Sequence, residues 1–292
     1  MLRLGRAPAK LNLVLELTGR RANGYHELAA ISQTVGWSDV IGVEPRGSGA
    51  RACQLLVCGP HSAQVPHGPE NIVLKAVRLL GEMGLGQAPG RIVLEKRIPA
   101  QSGLGGGSAD AAALIRLVAP DAAPAALEAV ALACGADVPF AMVGGAARVG
   151  GVGELLDPLP PLAGQLFLVV VLAGVSTAAA YAAVQAQDFS DGSRTERVAQ
   201  ALRAGLAPAP DLYGSDLLPA ALRISSALGQ GLESLRRSTS DTSWAMTGSG
   251  GAFFTPIDDP DQAARTARSV ARACPGAMVR TVISEPGWPG RT

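Results

Sequence analysis

Pro99-Ala-Gln-Ser-Gly103-Leu-Gly105-Gly106-Gly107-Ser108-Ala-Asp110-Ala-Ala-Ala is the stretch whose reading decides the fold. The apolar run Ile92-Val-Leu-Glu-Lys96 before it predicts a strand, and Ala111 to Val118 after it predicts a helix. A glycine loop therefore joins strand to helix, with the helix entered through Ser108 and Asp110. Glycines admit positive φ and let a ligand touch main-chain N–H groups. A helix start adds unpaired N–H donors and the positive end of a dipole, which suits an anion such as phosphate. The Ser108 hydroxyl can serve a phosphate oxygen or a magnesium ion. The same glycines also fit a plain turn. Two phosphate loops are excluded. The chain has no Gly-Lys pair, so the P-loop is absent. The dinucleotide fingerprint needs its first glycine tight against the strand end, whereas five residues separate Arg97 from Gly103 and Ser108 stands at the third-glycine position.

Outward from the loop, the composition permits a sizeable core. The chain has 292 residues, 48% apolar and 17% charged, with a net charge of +1. Disorder is excluded, and nothing electrostatic favours nucleic acid or an acidic membrane. Cys53, Cys58, Cys134 and Cys274 are scattered without CxxC spacing, which predicts free thiols in a reducing compartment. Met1-Leu-Arg-Leu-Gly-Arg lacks a long apolar run, so no secretory leader is expected. The longest apolar run, Leu166 to Val175, is shorter than the roughly 20 residues of a spanning helix. Lysine is nearly absent; Lys10, Lys75 and Lys96 stand alone among the arginines.

The chain opens rich in strands, with Leu11–Leu17, Tyr25 to about Gly36, Val40–Glu44 and Gln54–Val57, and with an Asn23-Gly24 turn. Glu70 to Met83 carries a helical apolar stripe, with Pro69 in its first turn. Pro124–Cys134 predicts another helix, stopped by Gly135. Two short strands are expected around Gly144-Gly145 and Gly150-Gly151, and Asp157-Pro-Leu-Pro-Pro-Leu is the best boundary. Beyond it come a buried strand at Leu166–Leu172 and an alanine-rich helix capped by Ser176-Thr177 and carrying Tyr181. Helices are expected near Arg194–Arg203, Pro219–Leu228, Gly231–Arg237 and Asp261–Ala273. A final strand spans Met278–Ile283, before a loose tail at Pro286–Thr292.

The pattern Pro-x3-Gly-Leu-Gly-Gly-Gly-Ser-x-Asp-Ala-Ala resembles the ATP loop of the GHMP kinases. Pro8-Ala-Lys10-Leu-Asn12, then Thr18-Gly-Arg-Arg-Ala-Asn-Gly24-Tyr25-His26-Glu-Leu, resembles the opening of the branch that phosphorylates diphosphocytidyl-methylerythritol. Gly135-Ala-Asp137-Val-Pro-Phe140 resembles a further motif of that branch, and Met246-Thr-Gly248-Ser249-Gly250-Gly251 resembles the third motif of the superfamily. On the residues alone, Lys10 is a solvated lysine at a strand start and Asp137 a turn aspartate. Tyr25 and His26 read as hairpin residues, Tyr181 as core, and Gly248–Gly251 as a tight turn. Gly214-Ser215-Asp216 departs from the family, which often has Asn in place of Ser215.

The resemblance implies an α+β, two-domain fold with the active site in the interdomain cleft. An N-terminal ATP-binding domain would cover 1–155 and a C-terminal substrate-binding domain 156–292, the last strand being free to return to the first. Lys10 and Asp137 are the implied catalytic pair. ATP would be held by Pro99, Ala100, Gln101, Ser102, Gly103, Leu104, Gly105, Gly106, Gly107, Ser108 and Ala109, with Asn71 and Lys96 near adenine and ribose. Asn12, Tyr25, His26, Thr177 and Tyr181 would bind the acceptor, Tyr25 facing Tyr181 across the cytosine. Gly248, Ser249 and Gly250 would lie against the ATP loop. The expected cofactors are ATP and Mg²⁺, with Ser108 a candidate metal ligand. The expected setting is the cytoplasm, with a small-molecule acceptor, no membrane, no nucleic acid and no obligate protein partner. Two rivals remain at this point: a GHMP kinase for another small alcohol, such as homoserine or mevalonate, and a catalytically silent nucleotide sensor.

Overall fold

The computed structural model describes residues 2–46, 53–162, 164–240 and 242–288. The chain runs through β1 (Arg3–Arg20), β2 (His26–Pro45), β3 (Gln54–Cys58), α1 (Ile72–Glu82), β4 (Pro89–Glu95), α2 (Gly106–Val118), α3 (Pro124–Cys134) and α4 (Val138–Val143). Then come β5 (Ala146–Gly151), β6 (Leu155–Leu159), β7 (Leu166–Val171), α5 (Thr177–Ala182), α6 (Ser193–Arg203), β8 (Gly214–Ser215), α7 (Leu218–Ile224) and α8 (Ser226–Ser238). The last elements are β9 (Ala245–Met246), β10 (Ala252–Ile257), α9 (Pro260–Ala273) and β11 (Met278–Ile283). The fold is mixed helix and sheet, as the loop pattern implies.

Two compact units divide the chain. The first is Met1–Ala9, Trp37–Ala100 and Gly105–Val143; the second is Lys10–Gly36, Gln101–Leu104 and Gly144–Thr292. No single cut at 155/156 reproduces this division. The proline-rich stretch at Asp157 is not a linker either: Leu155–Leu159 is β6, paired with β5 from Ala146↔Leu159 to Gly150↔Leu155.

In the first unit, β4 pairs antiparallel with the end of β2 and parallel with β3. Helices α1, α2 and α3 bury one core with this sheet, built from Ile41, Val73, Leu80, Ile92, Leu94, Leu114, Ile115 and Val130. The alanines of α2 let the helix sink into that core: Ala109 to Ile115 are all buried. In the second unit, the first half of β2 pairs with β5, and β1 pairs with β8 at Val14↔Gly214. A separate antiparallel sheet runs β11-β7-β10-β9. Its central strand β7 is almost wholly buried, as its unbroken apolar run predicts.

Several elements differ from their expected bounds for identifiable reasons. The two strands expected on either side of Gly36 are one strand, β2. Trp37 is buried there and its indole N–H donates to Arg97 O at 2.8 Å, so the polar Trp-Ser-Asp step stays in the ladder. Pro69 precedes α1 rather than opening it. Asn71 is the cap, its Oδ1 accepting from Val73 N at 2.9 Å. Helix α2 begins at Gly106, two residues before Ser108. Part of the expected loose tail is placed: Gly287 bridges to Gly144. The remainder of that tail, 289–292, lies outside the described residues. Among the described residues no helix is long and apolar enough to cross a membrane.

Candidate active site

The glycine loop is shaped by backbone geometry. In the first unit, Gly105 caps α2 in the left-handed region (φ 69°) and supplies no side-chain oxygen to the N–H groups of the opening turn. A side chain on Gly106 would come within 3.0 Å of Ile98 and 3.4 Å of Asp39. Gly107 is exposed and Ser108 half-buried. Nearby, Ala100 N donates to Gln64 Oε1 at 3.1 Å.

Beneath the loop lies a buried ion cluster. Lys96 is 2% exposed, and its ammonium bonds Asp39 and, at 2.6 Å, Asp110 Oδ2. Asp39 also accepts from Arg97 N at 2.5 Å and Ile98 N at 2.8 Å. The strand leaving β4 is thereby pinned to α2. Burial alone would lower the Lys96 pKa, but Asp110 and Asp39 outweigh it and hold it above the ordinary lysine value. Burial pushes the Asp110 carboxyl well above the usual range; Lys96 pulls it back and Asp39 adds to the rise. Asp110 Oδ1 has no hydrogen-bond partner among the described residues. Lys96 is therefore neither at a strand edge nor directed to solvent. Asn71 is likewise occupied, its Nδ2 donating to Pro66 O at 2.7 Å. Both side chains are engaged in hydrogen bonds within the first unit.

Asp137 is exposed at the start of α4, its carbonyl accepting from Ala141 N at 3.1 Å. That short helix follows Gly135, where the residue pattern alone reads as a turn. Arg116 holds it, donating to Ala141 O at 2.7 Å, and Lys75 Nζ donates to Cys134 O at the end of α3 at 2.8 Å. Burial lowers the Arg116 pKa to about 10.

In the second unit, β1 places Lys10 and Asn12 on one strand face. The Lys10 ammonium bonds Asn12 Oδ1, and Asn12 Nδ2 donates to Ser32 Oγ at 3.0 Å. Both backbones are fixed: Lys10 N donates to Leu104 O at 3.0 Å and Asn12 N to Thr247 Oγ1 at 2.7 Å. The loop segment Gln101–Leu104 packs on the second glycine cluster. A side chain on Gly103 would come within 2.5 Å of Thr247 O, and one on Gly248 within 2.8 Å of Gly103 O. Ser215, at the position where the sequence departs from the family, donates to Gly248 O at 2.7 Å. Thr177 and Ser249 share a hydrogen bond of 2.8 Å.

The aromatic group in this unit centres on His26. Its ring lies 5.4 Å from Tyr181, tilted by 38°, and 5.8 Å from Phe189, stacked at 25°. Burial lowers the His26 pKa and Arg20 lowers it further, so the imidazole is neutral at pH 7. Tyr25 is 64% exposed at the turn. Phe189, Thr247 and Asp39 are absent from the sequence-based assignment. Their partners lie between 57 and 235 positions away, and no local spacing marks them.

Among the described residues no three His, Cys, Asp or Glu side chains gather to hold a metal ion. Asp110, two positions from Ser108, is taken by Lys96. A carboxylate cage for Mg²⁺ does not fit these residues. An ion carried on nucleotide phosphates keeps several waters, and Ser108 is the hydroxyl that the loop would offer it.

The GHMP kinases N terminal domain family matches residues 71–145, a segment holding the glycine loop and Asp137. A 4-diphosphocytidyl-2-C-methyl-D-erythritol kinase of Xanthobacter autotrophicus is 37% identical over 97% of this chain and 95% of its own length. A solved 4-(cytidine 5'-diphospho)-2C-methyl-D-erythritol kinase is 36% identical, superposing with a TM-score of 0.74 over 98% of this chain and all of its own. A homoserine kinase from Cytophaga hutchinsonii shares the fold at 17% identity, with a TM-score of 0.67 over 98% of this chain and 95% of its own. Near-complete coverage at this identity, with the glycine loop and the Gly-Tyr-His turn both in place, settles membership: the chain belongs to the 4-diphosphocytidyl-2-C-methyl-D-erythritol kinase family of the GHMP kinases.

Proposed function

We propose that the chain transfers the γ-phosphoryl group of ATP to the 2-hydroxyl of 4-diphosphocytidyl-2-C-methyl-D-erythritol, in the non-mevalonate route to isoprenoids, in the cytoplasm. The oxygen of the 2-hydroxyl forms the new P–O bond, the bond to the β-phosphate oxygen breaks, and ADP leaves. The first turn of α2 and the loop Pro99–Gly105 hold the phosphates through main-chain N–H groups. The Lys10 ammonium offsets charge on the transferred group, and Asn12 fixes both that ammonium and the acceptor. The Asp137 carboxylate orients the hydroxyl and accepts its proton late, since a loose transition state asks more for positioning than for deprotonation. Bound Mg²⁺ supplies charge neutralisation on the phosphates, with Ser108 as its protein hydroxyl. Neutral His26 hydrogen-bonds the cytosine edge, flanked by aromatic rings, and Tyr25 is free to close over the base from the exposed turn. Base stacking of this kind contributes about 1–3 kcal/mol.

The single observation that best supports this assignment is the fixing of the loop segment Gly103–Leu104, which bonds the Lys10 backbone through Leu104 O and packs closely on the second glycine cluster at Gly103. A simple turn needs neither. An ADP-release assay across acceptors tests it. The cytidylated compound should be turned over with a kcat/KM at least about tenfold above bare methylerythritol phosphate, homoserine or mevalonate. Equal rates on the bare acceptors would overturn the substrate assignment.

A further inference from the structure

Phe189 owes its place beside His26 to anchors on both of its neighbours. On one side, Asp188 is buried and ion-paired with Arg223 of α7, and its Oδ2 accepts from Gln185 N at 2.8 Å. Arg223 reaches further: its guanidinium also donates to Ala183 O at 3.0 and 3.2 Å, just past the helix that carries Tyr181. On the other side, Ser190 Oγ donates to Asp216 Oδ2 at 2.6 Å and to Glu16 Oε1 at 3.1 Å, while Ser190 N donates to Leu17 O at 2.9 Å. Arg194 joins Asp216 to Glu16, which is 1% exposed, and Glu16 Oε2 accepts from Thr195 N at 2.6 Å. Asp216 also accepts from Leu17 N at 3.0 Å, tying the same network to β1. A connecting segment between two helices would otherwise sample many backbone and ring positions. Here its two flanking side chains are both held by buried or half-buried charge.

We propose that Arg223 and Asp216 are positioning residues for the acceptor base: acting through Asp188 and Ser190, they fix the Phe189 and Tyr181 rings against His26 and so set the preference for a cytidine-bearing acceptor. The inference rests on the acceptor site described under Proposed function. Arg223 bonds Asp188 and the Ala183 carbonyl just past the Tyr181 helix, and Asp216 bonds Ser190, so each anchor acts on the backbone that presents a ring. Loss of an anchor therefore weakens acceptor binding and leaves the phosphate end alone.

The test uses the full chain with ATP, Mg²⁺ and two acceptors, cytidylated and bare. Ser190→Ala removes one hydroxyl without stranding a charge, and Arg223→Gln removes the other anchor. Each should raise KM for the cytidylated acceptor by about tenfold, the loss of one base stack, while KM for ATP stays at the wild-type value. Ser190→Thr should restore it. In a Phe189→Ala background the Ser190→Ala effect should vanish. In parallel, the His26 ring-proton resonances report the neighbouring ring currents directly and should shift in both anchor variants. Wild-type KM values and unshifted His26 resonances in folded variants would overturn the proposal, as would an effect that persists without Phe189. If the wild-type enzyme treats both acceptors alike, the acceptor site itself is misassigned and the claimed preference falls. The His26 resonances then decide the anchoring alone, movement upholding it and constancy ending it.

Discussion

At the scale of single residues, the buried trio Asp39, Lys96 and Asp110 sets a testable balance. Two carboxylates face one ammonium, with side chains no more than 3% exposed. Removing the cation by Lys96→Met strands both acids and should cost about 3–5 kcal/mol in urea denaturation. Asp110→Asn should behave oppositely. Burial raises the folded pKa of Asp110 above its unfolded value, so its contribution to stability is complete below about pH 4 and is lost as pH rises through the folded value. Near neutral pH the variant should match or exceed the wild type, and its stability should fall less between pH 4 and 7. A wild-type pH profile in Asp110→Asn would refute this. The cluster was only half legible. Lys96 stands out among the rare lysines, but nothing in the local pattern pairs it with Asp39, 57 positions earlier.

At the scale of elements, the glycine clusters separate two kinds of constraint. Gly251 has φ +98°, and a side chain there would lie 2.5 Å from Ala173 O and 2.9 Å from Gln101 O. Gly205 is also left-handed, at +70°, but has nothing within 4 Å. Gly205→Ala should therefore cost about 1 kcal/mol from backbone conformation alone, and Gly251→Ala distinctly more, with the loop displaced. Equal losses of stability in the two variants would show that close packing of the second cluster on the loop contributes nothing. Most elements could be read from local chemistry: α1 from its apolar stripe, α3 from Pro124 and Gly135, β7 from its unbroken apolar run. The misreadings occurred where a tertiary contact overrides the local signal. Buried Trp37 carries β2 through a polar step, and Arg116 holds α4, where the residue pattern alone gives a turn.

At the scale of the whole molecule, the chain does not divide at its proline-rich stretch, because Lys10–Gly36 and Gln101–Leu104 belong with the later half. Composition could not show this; it follows from which backbone groups bond, such as Lys10 N to Leu104 O. The family was legible from four short motifs, since each carries residues whose chemistry is hard to replace. The Phe189 ring and its anchors were not, because they depend on side chains drawn from β1, α6, α7 and the step before α7. The central claim is that this chain performs phosphoryl transfer with Lys10 and Asp137 as its working pair. The most direct measurement is the single-turnover rate of transfer from ATP to the cytidylated acceptor in Asp137→Asn, beside an equilibrium titration of ATP. The account predicts wild-type ATP affinity with the transfer rate lowered by about 10²–10⁴; transfer at the wild-type rate would contradict it.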